Sequence, residues 1–171
     1  MKIIENSYYH IYNRGNNKNP IFFEEANYSY FLIKLEKHIR QSCTLYAYCL
    51  MPNHFHLFLK VNHKYDFELG IKNFFISYTK SINKAYGRVG GLFQGRYRAS
   101  AVNSDSYYSR VITYIHQNPL TAGLVRKLED YQYSSYSKYL NNDSTFIDKT
   151  PVLDWFGGLD NFIRDHQLIN T

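Results

Sequence analysis

"CTLYAYCLMPNHFHLFLKV", residues 43–61, reads as two β-strands joined by a turn at Pro52-Asn53. Both arms are rich in aromatic and aliphatic strand formers, and the Pro-Asn pair supplies turn chemistry between them. The hairpin puts His54 and His56 at the start of its second arm. Side chains alternate along a strand, so the two imidazoles point to the same face. Two histidines on one face suit a shared ligand, a metal ion above all. They also suit a pair satisfied by neighbouring hydrogen bonds, and the pattern alone leaves both readings open.

Outward from the hairpin, "SYYHIYNRG" (7–15) reads as a first strand ending at a glycine. From Asn27 to about Arg40, Phe31, Leu35 and Ile39 recur every four residues and mark an amphipathic helix. Residues 66–87 predict a second long helix, with Gly87 near its end. "GRVGGLFQG" (87–95) is a glycine-rich loop, and "RYRASAV" (96–102) a fourth strand. Ser104 or Asp105 can cap a third helix that stops around Pro119. This order predicts an α+β ferredoxin-like sandwich, an antiparallel sheet with helices on one face and one helix added. Beyond residue 125 the chain turns polar and rich in Tyr and Asn. The expectation is one domain over 1–140, with 141–171 its helical or irregular C-terminal extension.

The 171 residues include 18 Tyr and 12 Phe, and 20 Lys and Arg against 14 Asp and Glu give a formal charge of +6. Cations attract phosphates and bases stack on rings, so a nucleic-acid partner fits, although many mildly basic proteins bind no polyanion. No run of about 18 apolar residues exists to span a membrane, and "MKIIENSYYH" lacks the long apolar region of a secretory signal. Cys43 and Cys49, evenly spaced on the second strand, are expected to share a face as reduced thiols in a cytoplasmic protein. No further cysteine stands at zinc-ligand spacing.

A second half of a site is legible in "TYIHQNP" (113–119). Tyr114 and Asn118 are four apart on the third helix and therefore lie one turn apart on one side. In one reading Tyr114 packs and Asn118 caps the helix before Pro119. In the other, both face the histidines, and Asn118 adds an amide oxygen to a metal held by His54 and His56. Gln117 is a competing ligand. Three neutral ligands leave a divalent ion its charge and open positions for a phosphodiester oxygen, which suits Mg²⁺ or Mn²⁺ better than zinc. Tyr114 is then placed to attack phosphorus and form a phosphotyrosine. Tyr107 and Tyr108 are rivals by residue type, but Val111 and Ile112 stand where each would need a carboxamide. His10 reads as a core histidine, or as a fourth ligand or phosphate contact. Arg96 and Arg98, on one strand face around Tyr97, suit phosphates and base edges. Arg14 offers similar reach from the end of the first strand.

"NHFHLFL" resembles the HUH motif (histidine, bulky hydrophobic, histidine) of single-strand DNA endonucleases. With "NRGNNKNPIFF", "AYCLMPNHFHLFL", "GGLFQGRYRAS", "YIHQNPLTAGLV" and "EDYQYSSYSKY", it resembles the REP-associated tyrosine transposases, from about residue 8 to 140. The resemblance implies metal-ligand roles for His54 and His56 and makes Tyr114 the nucleophile that joins the DNA 5′-phosphate. Asn118 falls where relatives complete the metal site. The implied reaction is cleavage and rejoining of single-stranded DNA beside hairpin repeats, by a monomer or homodimer. The family pattern "YIELNPVRAG" appears here as "YIHQNPLTAG", which removes an arginine at Thr121 and adds His116. The competing functions are a module that binds single-stranded nucleic acid without cutting it, as exposed sheet aromatics do in RNA-recognition domains, and a degenerate transposase retained as a DNA-binding regulator. The intact His54, His56, Tyr114 and Asn118 set argues against the latter.

Overall fold

The computed structural model describes residues 2–141 and 146–168, with the Asp105 side chain outside the described set. Its centre is a four-stranded antiparallel sheet made of β1 (Ser7–Arg14), β2 (Cys43–Met51), β3 (His54–Val61) and β4 (Arg98–Val102), in the order β2-β3-β1-β4. Met51 pairs with His54, so Pro52 and Asn53 alone form the turn of the hairpin. Gly15 is required beside it, because a Cβ there would lie 1.9 Å from the Asn19 carbonyl oxygen.

The central strand β3 is buried on both faces, which is why its sequence runs almost continuously apolar after the histidines. Phe55, Leu57, Leu59 and Val61 face α1 (Glu25–Ile39) and α2 (Lys64–Ala85), where Phe31 meets Phe55 at 5.1 Å and Phe74 at 4.8 Å. Gly70 lets these helices approach, since a Cβ there would lie 2.3 Å from the His38 carbonyl oxygen. His54, His56 and Phe58 face the other way. There α3 (Asp105–Thr121) packs on the sheet, with Tyr108 over Tyr8 at 4.4 Å and against Phe58 at 5.6 Å. The ferredoxin-like expectation holds for α1 and α2 on one face, and the added helix takes the opposite one.

Several expectations need correction. Cys43 and Cys49 do not share a face. A bulge at Tyr46 shifts the register, so Cys43 pairs with Val61 and Cys49 with His56, on opposite sides of the sheet. Both thiols are buried and free. The third helix runs through Pro119 to Thr121, and Ser104 stands at its N-cap without a side-chain capping bond. The polar stretch after 125 is more regular than its composition suggests, with α4 (Tyr136–Leu140), α5 (Thr150–Phe156) and α6 (Leu159–Gln167). Trp155 on α5 meets Tyr108 at 4.9 Å, and Phe162 on α6 is fully buried, so sparse aromatics anchor these short helices. Positions 142–145 and 169–171 of the expected extension lie outside the described residues. Among the described residues, no helix is long and apolar enough to cross a membrane.

Candidate metal and nucleic-acid site

His54 opens β3 directly after the turn, and the turn orients its ring. Asn53 Nδ2 donates to the Lys18 carbonyl at 3.0 Å, which turns Asn53 Oδ1 toward His54 Nδ1 at 2.7 Å. That nitrogen must carry the hydrogen, so Nε2 of His54 keeps its lone pair. Burial lowers the His54 pKa; Asn118 opposes this by favouring the charged ring, and Arg14 adds to it.

The His56 ring lies 5.2 Å from that of His54 and almost perpendicular to it. Its Nδ1 is 2.8 Å from Nε2 of His10 on β1. Burial, reinforced by His10 and His54, lowers His56 to about 3, and burial lowers His10 to about 4. Both rings are therefore neutral at pH 7 and share one hydrogen across the contact. When His56 Nδ1–H donates to His10, Nε2 of His56 is also left with a free lone pair.

On α3, Tyr114 stands over this pair, 52% exposed, its ring edge-on at 5.6 Å from His56 and 5.9 Å from His10. Asn118 Nδ2 donates to the Tyr114 carbonyl at 2.8 Å and reaches the Ile115 carbonyl at 3.5 Å. Pro119 has no N–H to offer Ile115, so the Asn118 amide N–H takes up part of that role, while the Asn118 oxygen is the side-chain partner that favours the charged His54 ring. Gln117 points elsewhere, donating to the His166 and Leu168 carbonyls at 2.9 and 3.1 Å.

Two cavities of about 480 and 510 Å³ meet at Tyr12, His56 and Tyr114. The first is lined by His10, Tyr107 and Arg110; the second by Arg14, Lys18, His54, Arg98 and Asn118. Of the residues singled out from sequence, His54, His56, Tyr114, Asn118, Arg14 and Arg98 therefore come together. Arg14 Nε donates to Gln94 Oε1 at the cavity edge. Arg96 does not join them. It sits in the turn before β4 rather than on the strand, and lines a different groove. Of the two rival tyrosines, Tyr108 is buried in the core, whereas Tyr107 is exposed and lines the first cavity. Arg110 was missed, although it lies one helical turn before Tyr114; so was Asn53, the turn residue that sets the His54 tautomer.

The residues fit a divalent ion. Neutral imidazoles with fixed or fixable tautomers are what ligation requires, and each has a partner on its far nitrogen. Among the described residues, no group of three or more His, Cys, Asp or Glu side chains is close enough to hold an ion. The Asn118 oxygen would be the third protein donor, and such a set would make an open and oxygen-tolerant site.

A same-face histidine pair on a ferredoxin-like sheet, facing a helix with tyrosine and asparagine one turn apart, has the arrangement implied by the resemblance to HUH nucleases. The comparisons give the family. The chain belongs to the IS200-like transposases, whose family model matches residues 3–118. It is 25% identical over 114 residues to a Haemophilus influenzae protein provisionally named REP-associated tyrosine transposase, a match covering 58% of this chain and 65% of that protein. It also matches a solved REP-associated tyrosine transposase bound to a REP hairpin, with TM-score 0.69 and 16% identity, covering 86% of this chain and 92% of the other. At that identity the likeness concerns the fold.

Proposed function

We propose that the protein is a metal-dependent single-stranded DNA endonuclease and strand transferase that acts beside hairpin repeats in the cytoplasm. The observation that carries this reading is Tyr114, exposed between two basic cavities and set against the His56 ring at 5.6 Å, with Asn118 one turn on. A module that only holds DNA has no need of this set. Residues 1–140 form the catalytic domain in this reading, with 141–171 an extension of it.

His54, His56 and Asn118 would hold Mg²⁺ or Mn²⁺, which when bound polarises a phosphodiester oxygen. Arg14, Arg98 and Arg110 line the cavities and position the flanking phosphates. The Tyr114 phenolic oxygen attacks phosphorus, forming an O–P bond to the 5′-phosphate side as the bond to the 3′-oxygen breaks. The phenol loses its proton, and the departing strand leaves with a 3′-hydroxyl. The exchange of one phosphoester for another needs no nucleotide energy source and runs backward to rejoin strands. A hairpin is the substrate class because the solved relative carries one.

Incubation with hairpin DNA bearing single-stranded flanks, with Mn²⁺, tests this on a denaturing gel. The expected product is a protein–DNA adduct, lost with Tyr114→Phe or with chelator. Retarded DNA on a native gel with no adduct in Mn²⁺, or in Mg²⁺ used in its place, assigns the protein to the binding-module class instead.

A further inference from the structure

A groove of about 1170 Å³ runs between α2 and the edge strand β4. One wall is aromatic: Phe75 lies parallel to Tyr97 at 5.9 Å and meets Phe93 edge-on at 4.9 Å. The rim is basic. Lys72 and Lys80 on α2, and Arg96 and Arg98 across the groove, are all exposed, against one lining carboxylate, Glu68. None of the four cations forms an ion pair among the described residues. Tyr12 and Arg98 line both this groove and the cavity of His54 and Asn118, so the two surfaces are continuous.

Resting on the function proposed above, we propose that this groove carries the unpaired DNA strand flanking the scissile phosphate. Aromatic faces beside a line of cations suit a single strand, whose bases are free to stack while its phosphates meet lysine and arginine. A duplex keeps its bases stacked inside and offers the Phe75–Tyr97 wall nothing. An apolar peptide would desolvate four cations without giving them partners. Lys72 and Lys80, eight residues apart, stand about 12 Å apart along the helix and so meet different phosphates. Arg96, which lies away from the histidines, then has a role on the same strand further from the cleavage point.

The test is fluorescence anisotropy with the full chain in chelator, so that nothing is cut, using one hairpin with a single-stranded flank and the same hairpin without it. Wild type should bind the flanked form more tightly. Lys72→Ala combined with Lys80→Ala should lower that affinity about 10-fold and flatten its dependence on the logarithm of salt by about 1.4, for two single-strand phosphate contacts. Tyr97→Ala should cost about 10-fold by loss of base stacking. Affinity for the flankless hairpin should change less than about twofold in both, with melting temperatures near wild type for the lysine pair. Equal loss on both DNAs, or no loss on either, overturns the groove assignment. Adduct formation by wild type is scored separately with Mn²⁺. A protein that makes the adduct while the lysine variant binds the flank normally keeps its function and loses this groove. One that shows the flank effect but makes no adduct keeps the groove and loses the nuclease reading. Failure to bind either DNA overturns both.

Discussion

The protein contains two histidine pairs with the same contact, and only one is a candidate site. His10 and His56 meet at 2.8 Å, and His116 and His166 also meet at 2.8 Å. Depth does not separate them sharply, since His56 is 6% and His116 1% exposed. The distribution of hydrogens does. His166 Nδ1 donates to the Phe162 carbonyl at 2.7 Å, so its Nε2 must accept from His116 Nδ1. His116 Nε2 then accepts from the Ser135 hydroxyl at 2.7 Å, and that oxygen accepts from the Tyr48 amide at 2.9 Å. Every nitrogen in the inner pair is used, and the result is a clamp of α6 onto α3. In the outer pair, His56 keeps an unused nitrogen beside two cavities. A histidine pair becomes a site through the lone pair left over.

The comparison is tested first where the effect is largest, in the clamp. His166→Ala strands the His116 Nδ1 hydrogen in the core and opens a cavity against Phe162 and Phe156, which should cost about 3 kcal/mol in urea unfolding. Mn²⁺ affinity of the folded variant should stay within about twofold of wild type. A variant as stable as wild type would remove the clamp from the account. Acid gives the next effect. Burial holds the His166 pKa down to about 4, with the Phe162 carbonyl and Asp165 opposing, and burial and His166 hold His116 well below its usual value. Between pH 6.5 and 4 the unfolded chain binds more protons, so stability is flat above 6.5 and falls as pH drops through this window. The stability gap between wild type and His166→Ala should therefore narrow by about 2 kcal/mol on going from pH 7.5 to 5. A gap that widens in acid would mean that His166 carries its charge in the folded state.

How much of this was legible in the sequence differs between the pairs for a physical reason. The hairpin of β2 and β3 shows its ends in a period of two and a Pro-Asn turn, so the shared face of His54 and His56 follows from local chemistry. Tyr114 and Asn118 are likewise joined by one helical turn. The contact of His10 with His56 depends on the register of β1 against β3, where Tyr12 pairs with His56, and no nearby residue encodes that. His116 and His166 are 50 residues apart, and their helices stand in a stretch whose Asn, Asp and Tyr content hides the apolar anchors. His116, visible only as a departure from the family pattern, has its explanation in the clamp. The bulge at Tyr46 defeats the spacing argument for Cys43 and Cys49, because one extra residue exchanges the faces of everything beyond it.

The remaining effects sharpen the outer pair. His10→Phe keeps a ring near Tyr12 and Tyr114 but removes the acceptor for His56 Nδ1. The His56 tautomer is then no longer held, and Mn²⁺ affinity measured by calorimetry without DNA should fall about 20-fold. His10→Gln restores an acceptor and should recover most of that loss. Equal affinities for the Phe and Gln variants would show that His10 acts by shape alone.

Asn53→Ala should give the smallest effect, about fivefold in the same titration. Asn53 performs for His54 what His10 performs for His56, but it sits in a half-buried turn where water can replace its oxygen. Its own amide hydrogen bond to the Lys18 carbonyl is what aims that oxygen, so Asn53→Asp, which keeps an acceptor but loses the donor, separates the two contributions. If the tautomer alone matters, Asn53→Asp should bind Mn²⁺ at least as well as wild type, with the added negative charge favouring the cation. If the turn geometry matters, both variants should lose affinity together, and the hairpin turn rather than its side chain would be the feature that holds His54 ready.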